Sequence, residues 1–330
     1  MLMISKEHTK QIFTMKEAIE AAKLALNMYS AGSCNVPLRV NIDMPKQQGQ
    51  SLFMPAFVEP LEAAGIKIVS VFPNNIELGK SSVPAQMIVL DGKTGEVCSI
   101  IDGTYLTQLR TGAVQGAATD LLARKDAKTA VLIGTGGQAG TQLEAMLNVR
   151  ELEEVRVYDV NIDRARAFTD QMRNQFADTF HTRIVVAEDL NAALSNADIV
   201  TAVTTSPRPV FDGTRIKAGA HINGVGAYTP QMQELPEEIV KRADTIIFDT
   251  IEGVLAEAGD IIIPLEKGII NRQDIAGELG QVLLGQIKGR EREEDITLFK
   301  TVGTAVLDVV TAQMIYRKAL EMGVGIEVTI

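Results

Sequence analysis

The sequence predicts an α/β protein made of a doubly wound parallel sheet and a second, discontinuous α+β domain. Two observations predict the parallel sheet. From Thr129 onward short apolar runs alternate with helix-like segments, and the first run opens directly into a glycine-rich turn. A third observation predicts the other domain. Between residues 37 and 102 short strands are separated only by turn residues, with a helical stretch before them and another at the far end of the chain.

The glycine turn is the most informative stretch. Ala130-Val131-Leu132-Ile133 is too brief for a helix and fits a buried strand. Gly134-Thr135-Gly136-Gly137-Gln138-Ala139 follows, then a helix to about Val149, a strand Val155–Tyr158, and Asp159, 25 residues after Gly134. In this setting Gly134 permits the tight turn and Gly136 lets a pyrophosphate approach the backbone. Ala139 allows the helix to pack closely, and the helix N-terminus offers free N–H groups to phosphate. Asp159 is placed to accept hydrogen bonds from an adenosine ribose and to repel a 2′-phosphate. A Rossmann-type dinucleotide site is therefore expected, with NAD(H) preferred. Arg164 keeps NADP(H) possible.

Composition narrows the partners. The chain has 330 residues, 46% hydrophobic and 22% charged, enough for about two domains at roughly 150 residues each. A net charge of −10 argues against nucleic acid and anionic membranes. No apolar run reaches the ~20 residues of a membrane span, and the N-terminus lacks the pattern of a signal peptide. Cys34 and Cys98 are far apart and read as reduced core residues, and His8, His181 and His221 form no ligand set. A cytoplasmic protein without a metal site is expected.

Taken in order, residues 5–31 read as one helix capped by Ser5 and ended by Gly32. Strands follow at Leu38–Met44, Ser51–Val58, Gly65–Phe72, Ala85–Asp91 and Glu96–Asp102, the last two joined by the turn Asp91-Gly92-Lys93-Thr94-Gly95. Thr104–Ala123 is a helix rich in small residues. After the glycine turn come a helix at Arg164–Phe176, strands at Ile184–Ala187 and Ile199–Val203, and a short helix Leu190–Leu194 between them. His221–Val225 and Thr245–Phe248 are further buried runs, and the pattern turns irregular near Gly253. A long helix after Gly303 closes the chain and is expected to pack back on the first domain. The domains then comprise residues 1–115 with 304–330, and 116–303.

Three cations in the first domain stand out. Arg39 sits at the start of a strand after Pro37-Leu38, Lys67 lies between Ile66 and Ile68, and Arg110 sits on the helix that follows the sheet. Any one of them is compatible with the polar face of its element. Three cations with no matching acids suggest a carboxylate pocket, since a buried cation needs a partner.

Jointly, several motifs resemble the ornithine cyclodeaminase/μ-crystallin family of NAD(P)-dependent enzymes. They are Pro37-Leu38-Arg39, Phe53-Met54-Pro55-Ala56, Gly65-Ile66-Lys67, Leu109-Arg110-Thr111-Gly112-Ala113 and the glycine turn. Ala197-Asp198-Ile199-Val200, His221 to Gly226 and Thr297 to Gly303 extend the likeness over nearly the whole chain. The resemblance implies an α+β substrate domain that forms a homodimer through its sheet. It also implies that Arg39, Lys67 and Arg110 bind a substrate carboxylate; Lys67 is expected either to hold that carboxylate or, as the catalytic residue, to polarise and protonate an imine nitrogen. Thr111, Gly134, Gly136, Gly137, Gln138, Ala139, Asp159, Thr204, Thr205, Val225, Gly226 and Asp308 match positions that bind the dinucleotide.

Two departures refine this. The family's cyclodeaminases carry an aspartate where this chain has Tyr228 and an acid where it has Leu52. What remains resembles the branch that reduces cyclic or acyclic imines of 2-oxo acids, such as Δ1-pyrroline-2-carboxylate, to amino acids such as proline. The alternatives are an ornithine cyclodeaminase or alanine-dehydrogenase-like oxidoreductase, and a non-catalytic protein holding a dinucleotide and a small carboxylate.

Overall fold

The computed structural model describes residues 1–329. Its chain contacts divide it into two units: Met1–Arg110 with the segment from Thr304 onward, and Thr111–Gly303. The first division falls inside the helix Gly103–Leu122, after Arg110 rather than after residue 115.

The first unit is an eight-stranded sheet. Its spatial order is Ile326–Glu327, Leu2–Ile4, Val97–Asp102, Ala85–Asp91, Ala63–Val71 and Gly49–Val58, with Cys34–Asn35 and Val40–Met44 both on the outer side of the last. Every pairing is antiparallel except Leu2–Ile4 beside Val97–Asp102. Local chemistry fixes the hairpin at Asp91. Its carboxylate accepts from the Lys93 and Thr94 N–H groups, and Gly95 takes the left-handed backbone (φ 76°) that closes the turn. The two end strands, Leu2–Ile4 and Ile326–Glu327, were not visible as strands in the sequence. They are too short to show a period, and they pair the two chain ends directly.

Two helices, not one, precede this sheet: Lys6–Ile12 and Met15–Ser30. Helical spacing of apolar residues continues across the break, which is why residues 5–31 read as one element. The break is set by a second capping box. Thr14 accepts from the Glu17 N–H while the Glu17 carboxylate accepts from the Thr14 N–H, and Phe13 is extended. Both cysteines are free and half-buried rather than in the core.

The helix Ala305–Met322 lies across the strands Gly49–Val58 and Ala63–Val71. Gly65, on the face beneath this helix, has no side chain to collide with the neighbouring strand Ala85–Asp91. A Cβ there would stand 2.6 Å from the Ile88 carbonyl oxygen, 2.8 Å from Met87 Cε and 3.5 Å from Val309 Cγ2.

The second unit is an eight-stranded, wholly parallel sheet. Its order is Arg183–Val186, Glu154–Tyr158, Thr129–Ile133, Ile199–Ala202, His221–Gly224, Thr297–Lys300, Thr245–Phe248 and Ile275–Glu278. The strand order reverses between Thr129–Ile133 and Ile199–Ala202, the place where open α/β sheets bind ligands at the carboxyl ends of their strands. Thr297–Lys300 is fully buried in the middle of the sheet, although the sequence shows there only four residues with no alternation and a terminal lysine. The irregular region resolves into the short helices Ile251–Glu257 and Gly259–Glu266 and the strand Ile275–Glu278.

Glycine spacing gives a stability test. Gly65→Ala forces a Cβ against backbone and should cost about 1–3 kcal/mol. Gly136→Ala, where a Cβ meets no atom within 4 Å, should leave stability within about 0.5 kcal/mol. Thermal unfolding followed by circular dichroism compares the two; equal midpoints would contradict the packing described here.

Candidate active site

Within the first unit a charged cluster sits under the terminal helix. Side chains on Ala63–Val71 alternate, and Lys67 shares the buried face with Ala63, Gly65 and Val69. Met54 and Met87 flank it on the neighbouring strands, and it is 1% exposed. The solvated reading of this lysine is thereby excluded. Its ammonium lies 2.9 Å from Asp308 Oδ1 and 2.8 Å from Oδ2. Arg110, 5% exposed, donates from Nε to Asp308 Oδ1 at 2.9 Å. Asp308 itself is 0% exposed, carried on the first turn of Ala305–Met322 beside Val309.

The acid missing from the sequence picture of this pocket is thus Asp308, 241 residues beyond Lys67. The resemblance implied a place beside the dinucleotide for it; the structure puts both its oxygens on the two cations. Arg39, half-buried ahead of the strand Val40–Met44, is close enough for its charge to act on Lys67. Within the trio of Lys67, Arg110 and Asp308 two buried cations share one carboxylate, leaving one positive charge in surplus. Among the described residues the Arg110 guanidinium pairs only through Nε, so its two terminal nitrogens have no protein acceptor. That pair of nitrogens is the fork that matches a carboxylate. Burial pushes the Lys67 ammonium down to about 7; the charges of Arg110 and Arg39 add to this and Asp308 opposes it.

Within the second unit the loops at the strand ends form a second cluster. Gly134 has φ 101°, and a Cβ there would meet the Val203 carbonyl oxygen at 2.8 Å and Thr204 Cγ2 at 2.9 Å. Gly136 and Gly137 are exposed, and nothing lies within 4 Å of a Cβ built on Gly136. That face of the turn is the open cradle that a pyrophosphate needs. Gln138 begins the helix Ala139–Val149 without a side-chain cap, and Ala139 is fully buried beneath it. Asp159 Oδ2 accepts from the Thr135 N–H (3.1 Å) and hydroxyl (2.6 Å), tying the acid to the glycine turn. Burial would raise its carboxyl, but hydrogen bonds from Thr135 and Asn161 and the charge of Arg164 outweigh that and hold it below the usual range. These residues fit a dinucleotide with an unphosphorylated ribose.

The loop after Ile199–Ala202 carries Thr204, half-buried, and Thr205, exposed; the loop after His221–Gly224 carries Val225 and Gly226. Gly226 presses so closely on Thr204 that a Cβ would lie 2.0 Å from its carbonyl oxygen. Thr111 is nearly buried on the helix Gly103–Leu122. Tyr228 packs on the hydrophobic core of this unit. Sequence reasoning missed Glu234, whose carboxylate accepts from Thr204, Gly226 and Ala227. It stands in a polar stretch that reads as a solvated loop, and only its full burial distinguishes it.

Comparison with known proteins agrees with this geometry. The family model described as the ornithine cyclodeaminase/mu-crystallin family matches residues 1–323. A Delta(1)-pyrroline-2-carboxylate reductase of Bacillus cereus is 39% identical over 325 residues, covering 98% of each chain. The solved structure of Thermococcus litoralis Delta(1)-pyrroline-2-carboxylate reductase, in complex with NADH and L-proline, has a TM-score of 0.94 at 41% identity and covers 99% of this chain and 100% of its own. An archaeal alanine dehydrogenase dimer with bound NAD has a TM-score of 0.91 at 34% identity, covering 99% and 98%.

The surplus of positive charge makes a measurable demand on Lys67. Carbon-13 NMR of lysine-labelled protein should show one amine, assigned by its loss in Lys67→Met, titrating near 7. It is an ammonium below that pH and a neutral amine above it. Asp308→Asn removes the neighbour that favours the charged form, so the titration should move lower still. A Lys67 signal titrating with the other lysines, at about 10.4, would contradict the described burial.

Proposed function

The chain belongs to the ornithine cyclodeaminase/mu-crystallin family, and we propose that it is an NADH-dependent reductase converting Δ1-pyrroline-2-carboxylate to proline. The observation that carries this reading is the buried Lys67–Asp308–Arg110 cluster, with its unmatched positive charge and a proton held near neutrality. Support also comes from the two reductases of that name, one of them solved with NADH and L-proline.

The chain's own residues divide the work. The terminal nitrogens of Arg110 grip the substrate carboxylate in a two-pronged hydrogen bond, and Arg39 adds a further positive charge. Asp308 holds the Arg110 Nε and the Lys67 ammonium, so both cations are oriented before substrate arrives. Lys67 donates its proton to the imine nitrogen, a transfer suited to an acid whose pKa lies close to the working pH. Gly134, Gly136, Gly137, Gln138, Ala139 and Asp159 hold the dinucleotide, with Thr111, Thr204, Thr205, Val225 and Gly226 lining it. Bound there, the reduced nicotinamide supplies the hydride. An ionised Asp159 favours NADH over NADPH by repelling a 2′-phosphate.

Cyclodeamination is disfavoured by the absence of a usable acid on the Tyr228 loop. Ornithine's side-chain amine is protonated at neutral pH and needs a base, and a tyrosine, neutral below about pH 10, is a poor one. Glu234, further along the same segment, has both oxygens occupied by backbone and hydroxyl donors. The assembly we propose is a homodimer formed through the first unit. Val40 and Ile42, 58% and 49% exposed on an edge strand, support it, as does the dimeric alanine dehydrogenase relative.

Purified protein given NADH and Δ1-pyrroline-2-carboxylate should form proline, with higher kcat/KM for NADH than for NADPH. Given ornithine and catalytic NAD, it should form no appreciable proline or ammonia. Stoichiometric release of both from ornithine would replace the reductase reading with a cyclodeaminase. Reductive amination of pyruvate in preference to imine reduction would replace it with an alanine dehydrogenase.

A further inference from the structure

One carboxylate holds the two loops that leave the strands Ile199–Ala202 and His221–Gly224. Glu234 is 0% exposed. Its Oε2 accepts from the Thr204 N–H at 2.7 Å and the Thr204 hydroxyl at 3.0 Å. Its Oε1 accepts from the Gly226 N–H at 2.5 Å and the Ala227 N–H at 3.3 Å. The backbone of Glu234 is fixed in turn by Asp260, whose Oδ1 accepts from the N–H groups of Glu234 and Leu235 at 2.7 and 2.8 Å. Asp260 Oδ2 pairs with Lys300 Nζ at 2.7 Å, and both partners are fully buried.

Stability alone is a weak reason for such an arrangement. Burying ions is costly, and well-packed apolar side chains of similar volume usually stabilise a core as well or better. An apolar side chain, however, accepts no hydrogen bonds, and here four donors on two loops converge on one group. The contact between Gly226 and the Thr204 backbone sets how near the loops come. The carboxylate sets how they face.

We propose that Glu234 is a positioning residue that presets the two loops lining the nicotinamide half of the dinucleotide site. This rests on reading the second unit as the dinucleotide domain. In a doubly wound sheet each half serves one mononucleotide. The glycine turn and Asp159 belong to the half built on Thr129–Ile133 and Glu154–Tyr158, and so to the adenosine side. Thr204 and Gly226 belong to the other half. Glu234 therefore acts on one end of the ligand and not the other.

The test separates the two ends by ligand. Glu234→Gln keeps the shape but offers one acceptor oxygen, and its amide N–H₂ then faces an N–H of one loop. Calorimetric titration of this variant should give NADH binding weakened about tenfold, the scale of a lost hydrogen bond to a charged group. ADP-ribose, which lacks the nicotinamide, should bind within about twofold of the unmodified protein. Thr204→Val removes only the hydroxyl donor and should weaken NADH about threefold with ADP-ribose unaffected, while Thr204→Ser restores binding. If Glu234→Gln does not fold, this second pair carries the test alone. Unchanged NADH affinity, or equal weakening of both ligands, would overturn the positioning role. An unmodified protein that binds neither ligand would overturn the dinucleotide reading beneath it.

Discussion

The first unit depends on one buried carboxylate shared by two cations. Asp308 meets Lys67 on a sheet strand and Arg110 on the helix that follows the sheet, and all three are almost wholly removed from water. An unpaired ion in such a place is prohibitively costly, so the acid must be delivered there by the fold. The terminal helix delivers it. That requirement makes sense of a unit assembled from both chain ends, stitched by the pairing of Leu2–Ile4 with Ile326–Glu327. The compensation is deliberately incomplete. One negative charge between two positive ones keeps a depressed lysine beside a guanidinium whose two terminal nitrogens meet no acceptor among the described residues. Those are the two properties that a small carboxylate bearing an imine calls for.

The second unit uses the same physics for a different end. Asp159, Asp249 and Glu234 each gather several donors onto one carboxylate and so fix a loop. Asp159 binds Thr135 of the glycine turn. Asp249, fully buried, accepts from the Thr301 hydroxyl and from the N–H groups of Val302 and Gly303, ordering the segment after the central strand Thr297–Lys300. Burial raises the Asp249 carboxyl, with those hydrogen bonds opposing it. Glycines at 134 and 226 then allow backbone-to-backbone contact where any side chain would collide. Loop precision at this strand-end cluster comes from buried polar groups, while the apolar core behind them supplies the stability.

Legibility in the sequence followed the range of the interactions. The glycine turn, its flanking strands and Asp159 were readable because their chemistry is local and runs in register over some thirty residues. The hairpin at Asp91 was readable for the same reason. Lys67 was ambiguous: its strand alternates with a period of two, and apolar residues stand at both phases, so the inward face could not be chosen. Asp308 was assigned to the dinucleotide by resemblance because no local signal links it to a lysine 241 residues away. Glu234 and Lys300 were invisible as buried charges, since a single polar residue in a short segment carries no sign of its depth. The break at Phe13 was encoded in Thr14 and Glu17 yet masked by helical spacing on either side of it.

A crystal structure of the protein with NADH and L-proline tests the central claim most directly, because it locates the ligand carboxylate and nitrogen relative to the buried cluster. The carboxylate is expected on the terminal nitrogens of Arg110 and the ring nitrogen within hydrogen-bond reach, about 3 Å, of Lys67 Nζ, with Asp308 still bridging both cations. Proline bound with its carboxylate away from Arg110, and Lys67 facing Asp308 alone, would contradict that claim.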